Sequence, residues 1–78
     1  MAEVFFFAAA RAAAGADSLK ISQSTIAGVL AECAALNPTM AKLIPTCGVL
    51  VDSTACHDFD TTVDDHTRID ILPKFAGG

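Results

Sequence analysis

The clearest chemical potential in this chain sits at its very end, in Gly77 and Gly78. A C-terminal carboxyl has an ordinary pKa of about 3.5, so at neutral pH it is an anion and a poor electrophile. It reacts as an acyl donor only after something activates it. Glycine suits that use, because without a Cβ it can lie extended in a narrow channel and let reactive groups approach the backbone. The tail Lys74-Phe75-Ala76-Gly77-Gly78 follows Pro73, and five extended residues reach about 17 Å, enough to enter a neighbouring protein's pocket.

Other reactive side chains are present but poorly arranged for chemistry. Cys56-His57-Asp58 and Asp64-Asp65-His66 lack the paired Cys and His spacing of a zinc site. Adjacent side chains in an extended segment point apart, which argues against Cys56 and His57 as a nucleophile and its base. The segment reads as a solvated acidic loop. Cys33 falls on an apolar helix stripe and Cys47 in a strand, both packing positions. No Gly-rich phosphate loop, Ser-His-Asp pattern or cofactor motif occurs. The chain is therefore expected to bind no metal, no cofactor and no ATP by itself.

The composition agrees with a folded domain that works through a partner. Seventy-eight residues make one compact unit, and a chain this short needs most of its apolar side chains for a core. Here 53% are apolar, 18% are charged and the mean hydropathy is +0.49, which excludes intrinsic disorder. The net charge is −4, and the five basic residues Arg11, Lys20, Lys42, Arg68 and Lys74 are scattered. That pattern points away from nucleic acid, whose binders cluster Lys and Arg. Three cysteines without a close pair indicate a reducing compartment. Glu3 and Arg11 spoil the N-terminal apolar run as a signal peptide, and nothing approaches the roughly 20 apolar residues of a membrane span. A cytoplasmic location is expected.

The elements that must position the tail can be read from periodicity. Ala2 to Ala8 is a strand with Val4 and Phe6 on one face and Phe5 and Phe7 on the other. Apolar residues on both faces predict a central position or a face that meets a partner. Ala9 to Ala14 is a short helical turn ended by Gly15, and Asp17 to Ser22 alternates as a second strand. Ser24 or Thr25 caps a helix reaching about Leu36, with Ile26, Val29, Leu30, Cys33 and Leu36 as its apolar stripe. Asn37-Pro38 ends it, and Thr39 to Ile44 adds another helical turn. Cys47 to Val51 is a third strand, Asp52 to Thr67 a long polar loop anchored by Phe59 and Val63, and Arg68 to Leu72 the last strand, ended by Pro73. A hairpin, one amphipathic helix and further strands give an α+β fold: a mixed sheet with one main helix packed across one face.

Two segments carry a family resemblance. Phe6-Phe7-Ala8-Ala9-Ala10-Arg11-Ala12-Ala13-Ala14-Gly15 resembles the "FFA…R…G" opening of the MoaD proteins, small subunits of molybdopterin synthase. Asp60-Thr61-Thr62-Val63-Asp64-Asp65, then Ile69-Asp70-Ile71-Leu72-Pro73 and Ala76-Gly77-Gly78, resembles their last third. The likeness departs at His66-Thr67, where Gly-Asp is frequent, at Lys74 in place of a second proline, and at Asp52 in place of an asparagine. It implies a ubiquitin-like β-grasp domain over residues 1–73 and a flexible tail over residues 74–78. It also implies a carrier activated at Gly78, first as an acyl-adenylate and then as a thiocarboxylate, with Gly77 beside it. The partners implied are a MoaE-like large subunit, a MoeB-like ATP-dependent adenylating enzyme and a sulfurtransferase. Catalytic residues would lie on the large subunit, making this chain a non-catalytic carrier that hands sulfur to a pterin precursor in molybdenum-cofactor biosynthesis.

Partner binding is expected at Phe5, Phe7 and Leu72, if they form an exposed patch rather than lying under loops, with Lys74, Phe75 and Ala76 steering the tail. Other uses of the same end remain open at this stage. A ThiS-like carrier would serve thiazole formation or another acceptor. A ubiquitin-like modifier would join Gly78 to lysines. An interaction-only module would not need the tail.

Overall fold

Alternation in the first apolar run decides how the sheet is built. In β1 (Ala2–Phe6) Ala2, Val4 and Phe6 are buried while Glu3 and Phe5 are only half so, so one face of the strand belongs to the core. A computed structural model describes residues 1–74. Along it follow α1 (Ala9–Ala14), β2 (Ser18–Ile21), α2 (Ile26–Ala34), α3 (Pro38–Leu43), a 3₁₀ turn (Ile44–Thr46), β3 (Cys47–Val51), β4 (Thr54–Ala55) and β5 (Arg68–Pro73). The strands form one sheet in the order β2-β1-β5-β3-β4. β1 runs antiparallel to β2 and parallel to β5, and β3 runs antiparallel to both β5 and β4. The apolar-on-both-faces reading of β1 is met, for it has a partner on each side.

The core packs α2 against the inner sheet face. Ile26, Val29, Leu30 and Cys33 of α2 are buried with Val4, Phe6, Val49, Ile69 and Ile71 of the strands. Thr25 caps the helix, its side chain accepting from the Gly28 N–H at 3.1 Å. The two preceding helical N–H groups go to the chain that returns from β4. Ile26 N–H donates to the Thr61 carbonyl at 3.0 Å and Ala27 N–H to the Phe59 carbonyl at 2.8 Å. Donors that a helix start leaves without partners are thus satisfied by the long loop, which pins that loop to the helix.

Three sequence expectations need correction. Leu36 was placed in the apolar stripe but is 43% exposed, because α2 ends at Ala34 and Leu36 leaves the helical register before Asn37-Pro38. The loop over Asp52 to Thr67 contains β4, reached through a two-residue turn. Asp52 (φ 49°) and Ser53 (φ 72°) both take positive φ there, as a type I′ hairpin turn demands. Phe59 anchors the loop by its carbonyl, since its ring stays 42% exposed; Val63 does pack on the core.

Two local features at the tail end of the sheet carry expected outcomes. Ala8 has φ 52° and ψ −125°, and the Ala10 N–H donates to the Phe7 carbonyl at 3.0 Å. This matches a type II′ turn with alanine where glycine is favoured. Ala8→Gly should therefore stabilise the protein by about 1 kcal/mol, seen as a higher urea midpoint at unchanged slope. Asn37 caps α3 by accepting from the Met40 N–H at 2.8 Å and donates to the Ala13 carbonyl at 2.9 Å, tying α3 to α1. Asn37→Ala should cost about 1–2 kcal/mol, and Asn37→Asp, which keeps only the cap, clearly less in the same urea titration.

Candidate functional site

The last strand aims the tail. β5 is the middle strand of the sheet and pairs along both sides, with Phe6 opposite Ile71 on β1 and Cys47 opposite Pro73 on β3. The Phe7 N–H extends the β1 ladder to the Ile71 carbonyl at 3.2 Å. Lys74 therefore leaves the sheet at the end that carries Phe7, α1 and the start of β3, and it is exposed. Phe75, Ala76, Gly77 and Gly78 lie outside the described residues.

On the sheet face opposite the core, register places side chains in rows. Ser18, Phe5, Asp70 and Leu50 form one row across β2, β1, β5 and β3, and Leu72 pairs with Gly48 in the next. Phe7 is 38% exposed, while Phe5 and Leu72 are half-buried. The expected patch of Phe5, Phe7 and Leu72 is thus brought to one face, beside the strand end that bears Lys74. Its composition differs from the expectation in one respect. The Arg68 guanidinium lies 4.0 Å above the Phe5 ring, and its Nε donates to Asp70 Oδ1 at 3.0 Å. Phe5 is consequently covered by a cation, leaving Phe7 and Leu72 as its openly apolar part.

Leu72, Lys74, Leu50, Gly48, His57 and Phe59 border a groove of about 280 Å³ beside β3 and the segment that follows β4. Sequence reasoning missed it. The signal was Gly48, a lone glycine inside a strand pattern, which can mark a close approach to another group. A larger cleft of about 420 Å³ lies at the other end of the sheet, among Met1, Ser22, Gln23, Ser24, Asp64 and Asp65. It adjoins the start of β1 and of β5, opposite the tail. There the His66 N–H and the Thr67 hydroxyl, both bonded to Asp64, hold its carboxyl below the usual range. The Met1 ammonium does the same for Asp65 by hydrogen bond and charge.

The cysteines separate by burial. Cys33 is fully buried, and desolvation, with Glu32 nearby, pushes its thiol up to about 11 from the ordinary 9.0. Cys47, half-buried, is also raised by desolvation, and its thiol donates to the Leu43 carbonyl at 3.3 Å. Cys56 donates to the Asp58 carbonyl at 3.3 Å. In the folded protein iodoacetamide should label Cys33 at least about 100-fold more slowly than a free thiol, with full labelling only on unfolding. Among the described residues no three His, Cys, Asp or Glu side chains are grouped to hold a metal ion. Among them, too, no helix is long and apolar enough to cross a membrane.

Comparison with known proteins bears on this arrangement. No curated protein matches the sequence significantly. A subunit in the complex of subunits 1 and 2 of molybdopterin-converting factor from Helicobacter pylori 26695 superposes with a TM-score of 0.76 at 18% identity, covering 99% of this chain and 97% of that one. SAMP1 from Haloferax volcanii gives 0.82 at 16% identity over 99% and 98% of the two chains. The solution structure of the Haloferax volcanii HVO 2177 protein gives 0.80 at 24% over 99% and 85%. These likenesses show the ubiquitin-like β-grasp fold that the sequence resemblance implied. The profile of the ThiS family matches residues 4–78, through both terminal glycines. The chain therefore belongs to the ThiS family and is a small ThiS/MoaD-type protein of the sulfur-carrier or ubiquitin-like kind.

Proposed function

We propose that this chain is the sulfur-carrying small subunit of a molybdopterin synthase, with Gly78 as the reacting residue and residues 74–78 as a tail threaded into its partners. The observation that carries the reading is the course of β5. It leads the chain from the centre of the sheet, past the Phe7 and Leu72 face, into an exposed Lys74 and onward to Gly77-Gly78. The "FFA…R…G" segment, whose resemblance to the MoaD opening favours the molybdopterin branch over a thiazole-directed carrier, forms the turn and helix at that same end.

In this reading the Gly78 carboxylate attacks the α-phosphorus of ATP on an adenylating enzyme and releases pyrophosphate. A sulfide-level sulfur from a sulfurtransferase then displaces AMP and leaves a thiocarboxylate. This chain supplies the reacting end and the docking face. Phe7 and Leu72 seat the partner beside Phe5 and its Arg68 cover, Lys74 offers a cation at the channel mouth, and Phe75 and Ala76 lead Gly77 and Gly78 inward. The large subunit supplies the catalytic groups, and the compartment is the cytoplasm.

The test is to supply the Gly78 thiocarboxylate form to a purified synthase large subunit with its pterin precursor. Dithiolene-containing product, with the chain returned to its carboxylate, is the expected result. Sulfur delivered only to a thiazole synthase, or ladders of lysine conjugates in place of free carrier, would assign the tail to another acceptor.

A further inference from the structure

Gly48 has no explanation within the fold. A glycine weakens a strand, since it gives up more backbone freedom and has no side chain to pack. It is needed where φ is positive or where a Cβ would collide. Among the described glycines only Gly15 has positive φ, and a Cβ on Gly48 would meet the Leu72 carbonyl at 3.6 Å, an ordinary contact. The missing side chain leaves the floor of the groove open between Leu50 and Leu72.

The walls of the groove are mixed in character. Apolar surface lies on the floor, while Cys56, His57 and Lys74 bring a thiol, an imidazole and an ammonium to the sides. β4 pairs with β3 only at Leu50 and Val51, so among the described residues Cys47 and Gly48 have no strand partner on that side. Such a mixture suits a short stretch of extended chain, whose peptide groups need polar neighbours while a side chain is buried. The chain carries nine acidic residues against five basic ones, yet no Asp or Glu lines the groove. An occupant that ends in a carboxylate therefore meets no like charge on its walls.

A segment of that chemistry begins at the mouth of the groove. Lys74 is both one of its walls and the last described residue, and Phe75-Ala76-Gly77-Gly78 follow it. They supply one large apolar side chain, three small residues and a terminal carboxylate. Four extended residues reach at most about 14 Å, a length that spans the groove and little beyond it. We infer that the chain's own tail docks in this groove, with the Phe75 ring over Gly48 between Leu50 and Leu72. The docking is intramolecular, so one buried ring suffices where a separate peptide would pay for association. In the docked state the terminal glycines lie against the body of the domain, and a partner that threads the tail must first displace Phe75. That consequence rests on the proposed function, whereas the docking itself does not.

The experiment uses the isolated protein and compares amide and methyl NMR spectra of the full chain with those of a chain ending at Lys74. Removing residues 75–78 should shift the amides of Gly48, Leu50 and His57, which are distant from the cut in sequence. In the full chain, NOEs should join the Phe75 ring to the methyls of Leu50 and Leu72. Phe75→Ala should reproduce the shifts of the shortened chain at those three amides. Gly48→Val should abolish the ring contacts while melting at the same temperature as the parent or higher, because valine favours strands. Cys56, in the groove wall, should react with iodoacetamide at least about twofold faster in the shortened chain, the ratio for a tail docked half of the time. Shifts confined to the residues beside the cut, with no ring contacts and unchanged labelling, overturn the docking. So does a pattern that grows with protein concentration, which assigns the groove to the tail of a second copy. Neither result touches the carrier reading, which sulfur transfer to Gly78 tests separately.

Discussion

A chain shortened by Gly77 and Gly78 is expected to melt like the full-length protein and to lose activation by at least about 100-fold. The first half follows from where stability resides. The described core runs from Ala2 to Ile71 and the sheet ends at Pro73, so the buried residues of that core all precede the two that are deleted. The second half follows from geometry and sterics. Shortening moves the carboxyl two residues back along the tail, a distance of roughly 7 Å, and misplacement of a reacting group by even about 1 Å can cost 100-fold. It also makes Ala76 the terminal residue, whose Cβ obstructs a channel shaped for glycine. Thermal melts and intact-mass kinetics on the same preparation separate the two effects. Parallel losses in both would mean that the terminus serves the fold rather than the chemistry.

Ile71→Ala should have the largest effect on stability. Ile71 is fully buried on the central strand, paired with Phe6 on one side and Val49 on the other. Truncating a fully buried isoleucine costs about 3–4 kcal/mol, because the lost transfer energy adds to the cavity left behind. A domain of this size has a total stability of only about 4–12 kcal/mol, and each kcal/mol moves its midpoint by about 4–8 °C. A fall of about 15–25 °C is therefore expected. The exposed Leu36, at 43%, gives the control, since Leu36→Ala should stay within about 0.5 kcal/mol. Equal effects at the two positions would contradict the register that places Ile71 at the centre.

The parts legible in the sequence were those written in local chemistry. Period-two alternation separated Val4 and Phe6 from Phe5, and helical spacing found Ile26, Val29, Leu30 and Cys33. Ser24 or Thr25 announced the start of α2, where Thr25 is the cap, and Asn37-Pro38, read only as the stop of that helix, also caps and begins the next. What stayed hidden depended on pairing between distant segments or on unusual turn residues. β4 was missed because Asp52 and Ser53 adopt positive φ without a glycine to signal it. Phe59 looked like an anchor by its ring, but the Ala27 N–H selects its carbonyl. The cover of Arg68 over Phe5 and the groove above Gly48 exist only once residue 48 is set opposite Leu72 and residue 70 opposite Phe5. Of the candidate site, Phe5, Phe7, Leu72 and Lys74 converge on one end of one face, while Phe75 to Gly78 fall outside the described residues.

The most direct test of Gly78 as a sulfur-carrying end is the intact mass of the full-length protein after incubation with an adenylating enzyme, ATP and a sulfur source. The expected result is a gain of about 16 Da, the exchange of one oxygen for sulfur, localised to Gly78 by fragmentation and absent when Gly77-Gly78 is removed. A mass that never changes with a competent adenylating enzyme from the same organism would contradict it, and the domain would then act by binding alone.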